Sequence, residues 1–137
     1  MTDDEIIADI LYRVSPSITN EALNSLFSAS WPDHTETNFL AELTHSLFYL
    51  CAYSDEQLVG FVNVAWNGGI HAFLLDTTVH ASYRRRGIGL QLVRKAASFA
   101  QAKGIHWLHV DYEPQLTRFY QECGFHATQA GLMRLNG

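Results

Sequence analysis

Cysteine is scarce: Cys51 and Cys123 stand alone and far apart. Two isolated thiols make neither a metal-ligand pair nor a disulfide framework, so a stapled secreted scaffold is excluded. Long hydrophobic runs are missing too. No uninterrupted apolar stretch approaches the ~20 residues that cross a bilayer, so no membrane partner is expected. A long basic run is also absent and the formal net charge is −5, which argues against nucleic acid as a partner. Neither internal repeats nor low-complexity segments occur. The opening MTDDEIIADI is acidic where a secretory signal would be basic, and a cytoplasmic location is the default expectation. Two familiar phosphate fingerprints are lacking as well. There is no GxxxxGK followed by Ser or Thr, and no GxGxxG, because Gly87-Ile88-Gly89 continues as Leu-Gln-Leu.

What remains is an ordinary folding chain. It has 137 residues, 47 % of them apolar and 17 % charged. That is enough apolar surface to offset the ordering entropy, and one domain spanning 1–137 is expected. Charge is unevenly placed. Residues 1–60 hold one base, Arg13, and ten acids, a balance of −9; residues 61–137 hold eight bases and four acids, a balance of +4. A local excess of base suits a compact anionic ligand bound at one place.

Periodicity gives the element order. ILYRV (10–14) reads as a strand, residues 20–29 as a helix capped by Ser17 or Thr19, and 37–45 as a second helix. SLFYLCAYS (46–54) and LVGFVNVAW (58–66), joined by Asp55-Glu56-Gln57, read as an antiparallel hairpin. After the Asn67-Gly68-Gly69 turn, IHAFLLDTTV (70–79) is a third long strand. From Gly87 to Lys103 the apolar residues follow the helical period, and IHWLHVDY (105–112) returns to strand. A short helix over 115–123 and two short strands, 124–128 and 132–135, close the chain. Strand, helix and strand over 70–112 form a βαβ unit, hence a parallel pair beside antiparallel hairpins. The expected fold class is α/β with a mixed sheet. Trp66 and Trp107 are expected in its core.

The segment from Thr78 to Gly89 joins a strand to a helix and meets three needs of a diphosphate site. Gly87 and Gly89 clear the backbone of side chains. The first amides of the helix lack internal partners. The helix dipole adds partial positive charge there, beside Arg84, Arg85 and Arg86.

The string is more specific than its glycines. Arg84-x-x-Gly87-Ile88-Gly89 resembles the acyl-CoA signature of the GNAT N-acetyltransferase superfamily, an Arg or Gln, two residues, Gly, one residue, then Gly or Ala. Phe119-Tyr120-x-x-x-Gly124-Phe125 is similar to its second motif. The element order matches that fold across nearly the whole chain, and the motifs cover residues 74–125. The resemblance implies a mostly antiparallel sheet with one splayed parallel pair flanked by helices, and acetyl-CoA as co-substrate. Backbone groups at Thr78 and Val79 would meet the pantetheine arm and the thioester carbonyl. Residues Arg84, Arg85, Arg86, Gly87, Ile88 and Gly89 would surround the diphosphate. Tyr120 would adjoin the cofactor and protonate the leaving thiolate. Two departures stand out: Ala81 replaces a common proline, and Glu113 replaces an asparagine that contacts the cofactor.

Acetyl transfer to an amine needs a base to take the amine's proton. Asp76, Glu113 and Asp111 are candidates, as are His71 and His109, since imidazole titrates near neutrality. His106 and His109 fall on opposite faces of a strand, so no metal site is expected, and Cys123 is expected to serve packing. The acidic first half, with Glu21, Asp33, Glu36 and Glu42, predicts a cationic acceptor, a small molecule or peptide amine, with Trp31 and Phe39 lining its pocket. A catalytically idle acyl-CoA-binding module or sensor is the alternative reading. An open strand edge near the C-terminus leaves a homodimer open.

Overall fold

The computed structural model describes residues 9–137. Five strands form one sheet in chain order: β1 (Ile10–Val14), β2 (Ser46–Ser54), β3 (Gln57–Trp66), β4 (His71–Val79) and β5 (Trp107–His109). The first four pair antiparallel, and β4 pairs parallel with β5. Four α-helices accompany them: α1 (Asn20–Ser30), α2 (Phe39–Leu43), α3 (Ile88–Ala102) and α4 (Thr117–Glu122). Single 3-10 turns precede α3 at Ala81–Tyr83 and α4 at Pro114–Leu116. The expected mixed α/β sheet and its βαβ unit are present.

Local chemistry accounts for the boundaries. Of the two candidate caps, Thr19 starts α1, its hydroxyl accepting from the Ala22 amide at 3.0 Å. Asn38 caps α2. Asp55, at φ 54, turns β2 into β3, a left-handed position that Asp tolerates.

Each face of the sheet carries its own core. On one, Leu92, Val93 and Ala96 of α3 pack against Val62, Val64 and Leu74. Gly60 lets α3 approach: a Cβ there would lie 3.0 Å from the Leu92 side chain and 3.2 Å from Ala52. On the other face, Leu23, Leu26 and Phe27 of α1 meet Cys51, Phe61 and Phe39. Each such fully buried side chain contributes about 1.5–3 kcal/mol. The chain between α1 and α2 is fixed by the buried Asn24. Its amide nitrogen donates to the carbonyls of Asn20 and Thr37, both at 2.9 Å, and its oxygen accepts from the Thr37 amide and lies 2.7 Å from His34 Nε2.

The end of the sheet departs from expectation in three ways. Strand β5 spans three residues, not eight, and holds β4 only through His71–Phe73. The two closing strands do not form, and residues 125–137 carry no regular structure. Their apolar alternation is a local signal, but a strand also needs a partner edge, and the short β5 offers little; Leu132, Met133 and Leu135 stay exposed. Third, Trp66 and Trp107 are not core residues, being 42 % and 63 % exposed. They sit at strand ends that no helix covers.

Candidate active site

Because β5 leaves β4 after His109, the two parallel strands diverge, and the rest of β4 borders an opening. A bulge shapes that stretch. Phe61 pairs with Thr78 and Asn63 with Leu75, so Asp76 and Thr77 together face Val62 alone. Asp76 takes φ 60, left-handed for a residue with a side chain.

A cavity of about 680 Å³ runs from this bulge to the start of α3. Thr77, Val79 and Tyr120 border one part of it, and Arg84, Arg85, Gly87 and Gly89 another. At the helix end the first intrahelical bond is Gln91 to the Gly87 carbonyl, so the amides of Ile88, Gly89 and Leu90 have no partner within the helix. No acidic side chain occupies its first turn. Arg85 (φ 66) and Gly87 (φ 80) are both left-handed, which turns the loop back toward the cavity. Converging free amides, a helix dipole and arginines form a cradle that fits a diphosphate.

The arginines divide their work. Arg84 donates a 2.7 Å bond to the Ser30 carbonyl at the end of α1, so its side chain is already engaged. Arg86 stacks on the Tyr83 ring, its guanidinium carbon 4.8 Å from the centroid, and does not line the cavity. Arg85 does line it.

Tyr120 is 6 % exposed and stacks on Tyr112 with centroids 4.8 Å apart. Burial pushes its phenol above the usual tyrosine value, against a lowering by the Thr77 hydroxyl. The group therefore stays protonated at neutral pH, as a proton donor must. Asp76 also titrates above the ordinary carboxylate, first through desolvation and then through the negative charge of Glu42 on α2. A carboxylate so shifted is a better proton acceptor than an exposed one.

Other expected residues fall elsewhere. Thr78 is buried, 2 % exposed, and faces Trp31 instead of lining the cavity. Glu113 precedes the Pro114 turn, exposed, and accepts from Gln115 at 2.8 Å; it does not border the cavity. Phe39 is buried between Phe27 and His34 and does not border this cavity. Trp31 does line the cavity. His71 and His109 meet at 2.8 Å across β4 and β5, a pairing invisible to spacing along one strand. Thr77, Phe119 and Leu116 were not among the expected cofactor contacts, yet all three border the cavity. The bulge, which shifts alternation by one, explains Thr77. Among the described residues no three His, Cys, Asp or Glu side chains cluster as metal ligands, and no helix is long and apolar enough to cross a membrane.

Known proteins resemble this chain in part of their sequence or in fold. Glucosamine 6-phosphate N-acetyltransferase 1 of Oryza sativa subsp. japonica is 38 % identical over 50 residues, 36 % of this chain and 30 % of that protein. Mycothiol acetyltransferase of Mycolicibacterium vanbaalenii is 36 % identical over 66 residues, 48 % of this chain and 22 % of that protein. The match therefore spans less than a third of either relative's length. A GNAT-family acetyltransferase of Streptococcus pneumoniae superposes with a TM-score of 0.76 at 24 % identity, covering 93 % of this chain and 98 % of that one. An aminoglycoside N-acetyltransferase solved in complex with CoA gives 0.74 at 22 % identity, covering 97 % and 98 %. At these identities the structural likeness is one of fold. The model of the acetyltransferase (GNAT) family matches residues 17–125, and with its cradle and splayed strands the chain belongs to that family.

Proposed function

We propose that this chain is an N-acetyltransferase that moves an acetyl group from acetyl-CoA to a primary amine by direct attack. One observation carries the reading: the free amides opening α3 and the buried Tyr120 phenol border the same cavity. A diphosphate held at the first would lay a pantetheine arm along the splayed end of β4, toward the second. An idle acyl-CoA sensor has no need of a phenol there.

The residues supply four things. The cradle of Arg84, Arg85, Gly87, Ile88 and Gly89 anchors the cofactor, while Arg86 adds charge nearby. Backbone amides at the bulge near Thr78 and Val79 face the carbonyl on which negative charge develops. Asp76 takes the proton from the attacking amine, and Tyr120 gives one to the departing thiolate. Of the three carboxylates named above, Asp76 is favoured because it sits on the bulge, next to Thr77 on the cavity wall, although like Glu113 it does not itself border the cavity. Holding both reactants together supplies much of the rate.

Asp76 lies close enough to Glu42 for that negative charge to push its carboxyl upward, and the first half of the chain carries a balance of −9. A cationic acceptor suits this face. Relatives named for glucosamine 6-phosphate and aminoglycosides are consistent with a small-molecule amine. The test is thiol release from acetyl-CoA across a panel of amino sugars, polyamines and lysine peptides. Amine-dependent thiol release is expected. Tight cofactor binding with no release for any amine overturns the enzyme reading in favour of the sensor.

A further inference from the structure

We infer that Trp31 is a positioning residue for the transfer, holding the β4 bulge through Thr78 and joining it to the diphosphate loop. This rests on the acyl-transfer reading above. Trp31 directly follows the last turn of α1, where its backbone amide bonds the Phe27 carbonyl at 2.8 Å. From there its indole N–H donates to Thr78 Oγ1 at 3.1 Å. That hydroxyl donates onward to the Asp76 carbonyl at 3.0 Å. The relay ends on the one left-handed residue of the bulge, at φ 60. A backbone in that region persists only where its surroundings hold it.

The same indole lies against the other half of the site. The Arg84 guanidinium carbon is 5.8 Å from its ring centroid, and Arg84 bonds the carbonyl of the preceding residue, Ser30. Ser30 and Trp31 thus touch both the cradle and the bulge. Packing alone does not explain this placement. At 46 % exposed, Trp31 contributes little to a core, yet its polar atom reaches a hydroxyl that is 2 % exposed. The side chain also lines the cavity beside Thr77 and Tyr120. Without the relay the bulge relaxes, the thioester loses alignment with Tyr120 and Asp76, and turnover falls while the diphosphate contacts remain.

The test uses Trp31→Phe, which keeps a ring and removes the donor, together with Thr78→Val and the double variant. Calorimetry reads acetyl-CoA affinity, and thiol release reads kcat. For Trp31→Phe we expect an affinity within about twofold of the parent and a kcat lowered about tenfold, the double variant being no slower than Thr78→Val alone. A kcat for Trp31→Phe within twofold of the parent, or effects of the two substitutions that multiply, overturns the inference. Fluorescence gives an independent reading. With Trp66→Phe and Trp107→Phe in place, Trp31 is the sole indole, and titration with acetyl-CoA should shift its emission. Calorimetric binding with unmoved emission overturns the inference but spares the acyl-CoA reading; no binding at millimolar cofactor removes both.

Discussion

Arg84 reaches across from the diphosphate loop to the Ser30 carbonyl, 2.7 Å away, and so closes the C-terminal end of α1. A cation is favourable at that end of a helix, where carbonyls lack internal partners. The side chain that the motif marks for the cofactor thus also fastens a helix on the opposite side of the cavity. Arg84→Ala should lower stability by about 1–2 kcal/mol, read as a reduced midpoint in urea. Arg85→Ala should leave that midpoint alone and weaken acetyl-CoA binding in a salt-dependent way. Equal midpoints for the two variants would refute the division.

Tyr120→Phe should reduce kcat by about 100-fold while cofactor affinity stays near the parent value. The ring would keep its stacking on Tyr112 and its edge contacts with Phe119 and Phe125. Since burial raises the phenol's pKa, turnover in the parent should not decline at pH 9 through loss of this proton. Thiol-release assays across pH test both statements.

The base role proposed for Asp76 and its place in the fold should act on activity and stability with opposite signs. Its carboxyl titrates higher in the fold than in the unfolded chain. Between those two values the native state binds the extra proton, so this group's contribution to stability falls as pH rises through them. Above both, the ionised form is a burden to the fold. Asp76→Asn should therefore melt at a higher temperature than the parent at pH 7, yet lose turnover. Below the ordinary carboxylate range the two melting temperatures should converge. A lower melting temperature for Asp76→Asn at pH 7 contradicts the account.

The two cradle glycines should respond differently to alanine. Gly87 sits at φ 80, where a Cβ costs roughly 1–2 kcal/mol even though nothing lies within reach of it. At Gly89 a Cβ would meet Phe119 at 3.4 Å and Val79 at 3.6 Å, ordinary contact. Gly87→Ala should lower both the urea midpoint and acetyl-CoA affinity. Gly89→Ala should leave the midpoint within about 0.5 kcal/mol of the parent.

The sequence made some of this legible and hid the rest for identifiable reasons. Thr19, the hairpin at Asp55, the period of α3 and the Arg84–Gly89 loop are local signals, and each is where the pattern places it. Strand alternation, which assumes one residue opposite one, does not place the bulge of β4 at Asp76 and Thr77. At the bulge it is Thr77 that borders the cavity, while the Thr78 side chain is buried against Trp31. The tail at 132–135 has a strand's alternation but no edge to join. Trp66 and Trp107 read as core because hydrophobicity carries no information about which strand ends a helix covers. The bond from Trp31 to Thr78 joins residues 47 apart in the chain, and no spacing rule reports it.

Asn24 has a consequence of a different kind. Its carboxamide alone receives both backbone groups of Thr37 and the ring of His34. The course of the chain from α1 to α2 hangs from that one side chain, none of whose hydrogen bonds reaches the 84–89 loop. A substitution at residue 24 would therefore redraw the path between those two helices and leave the turn ahead of α3 as it stands.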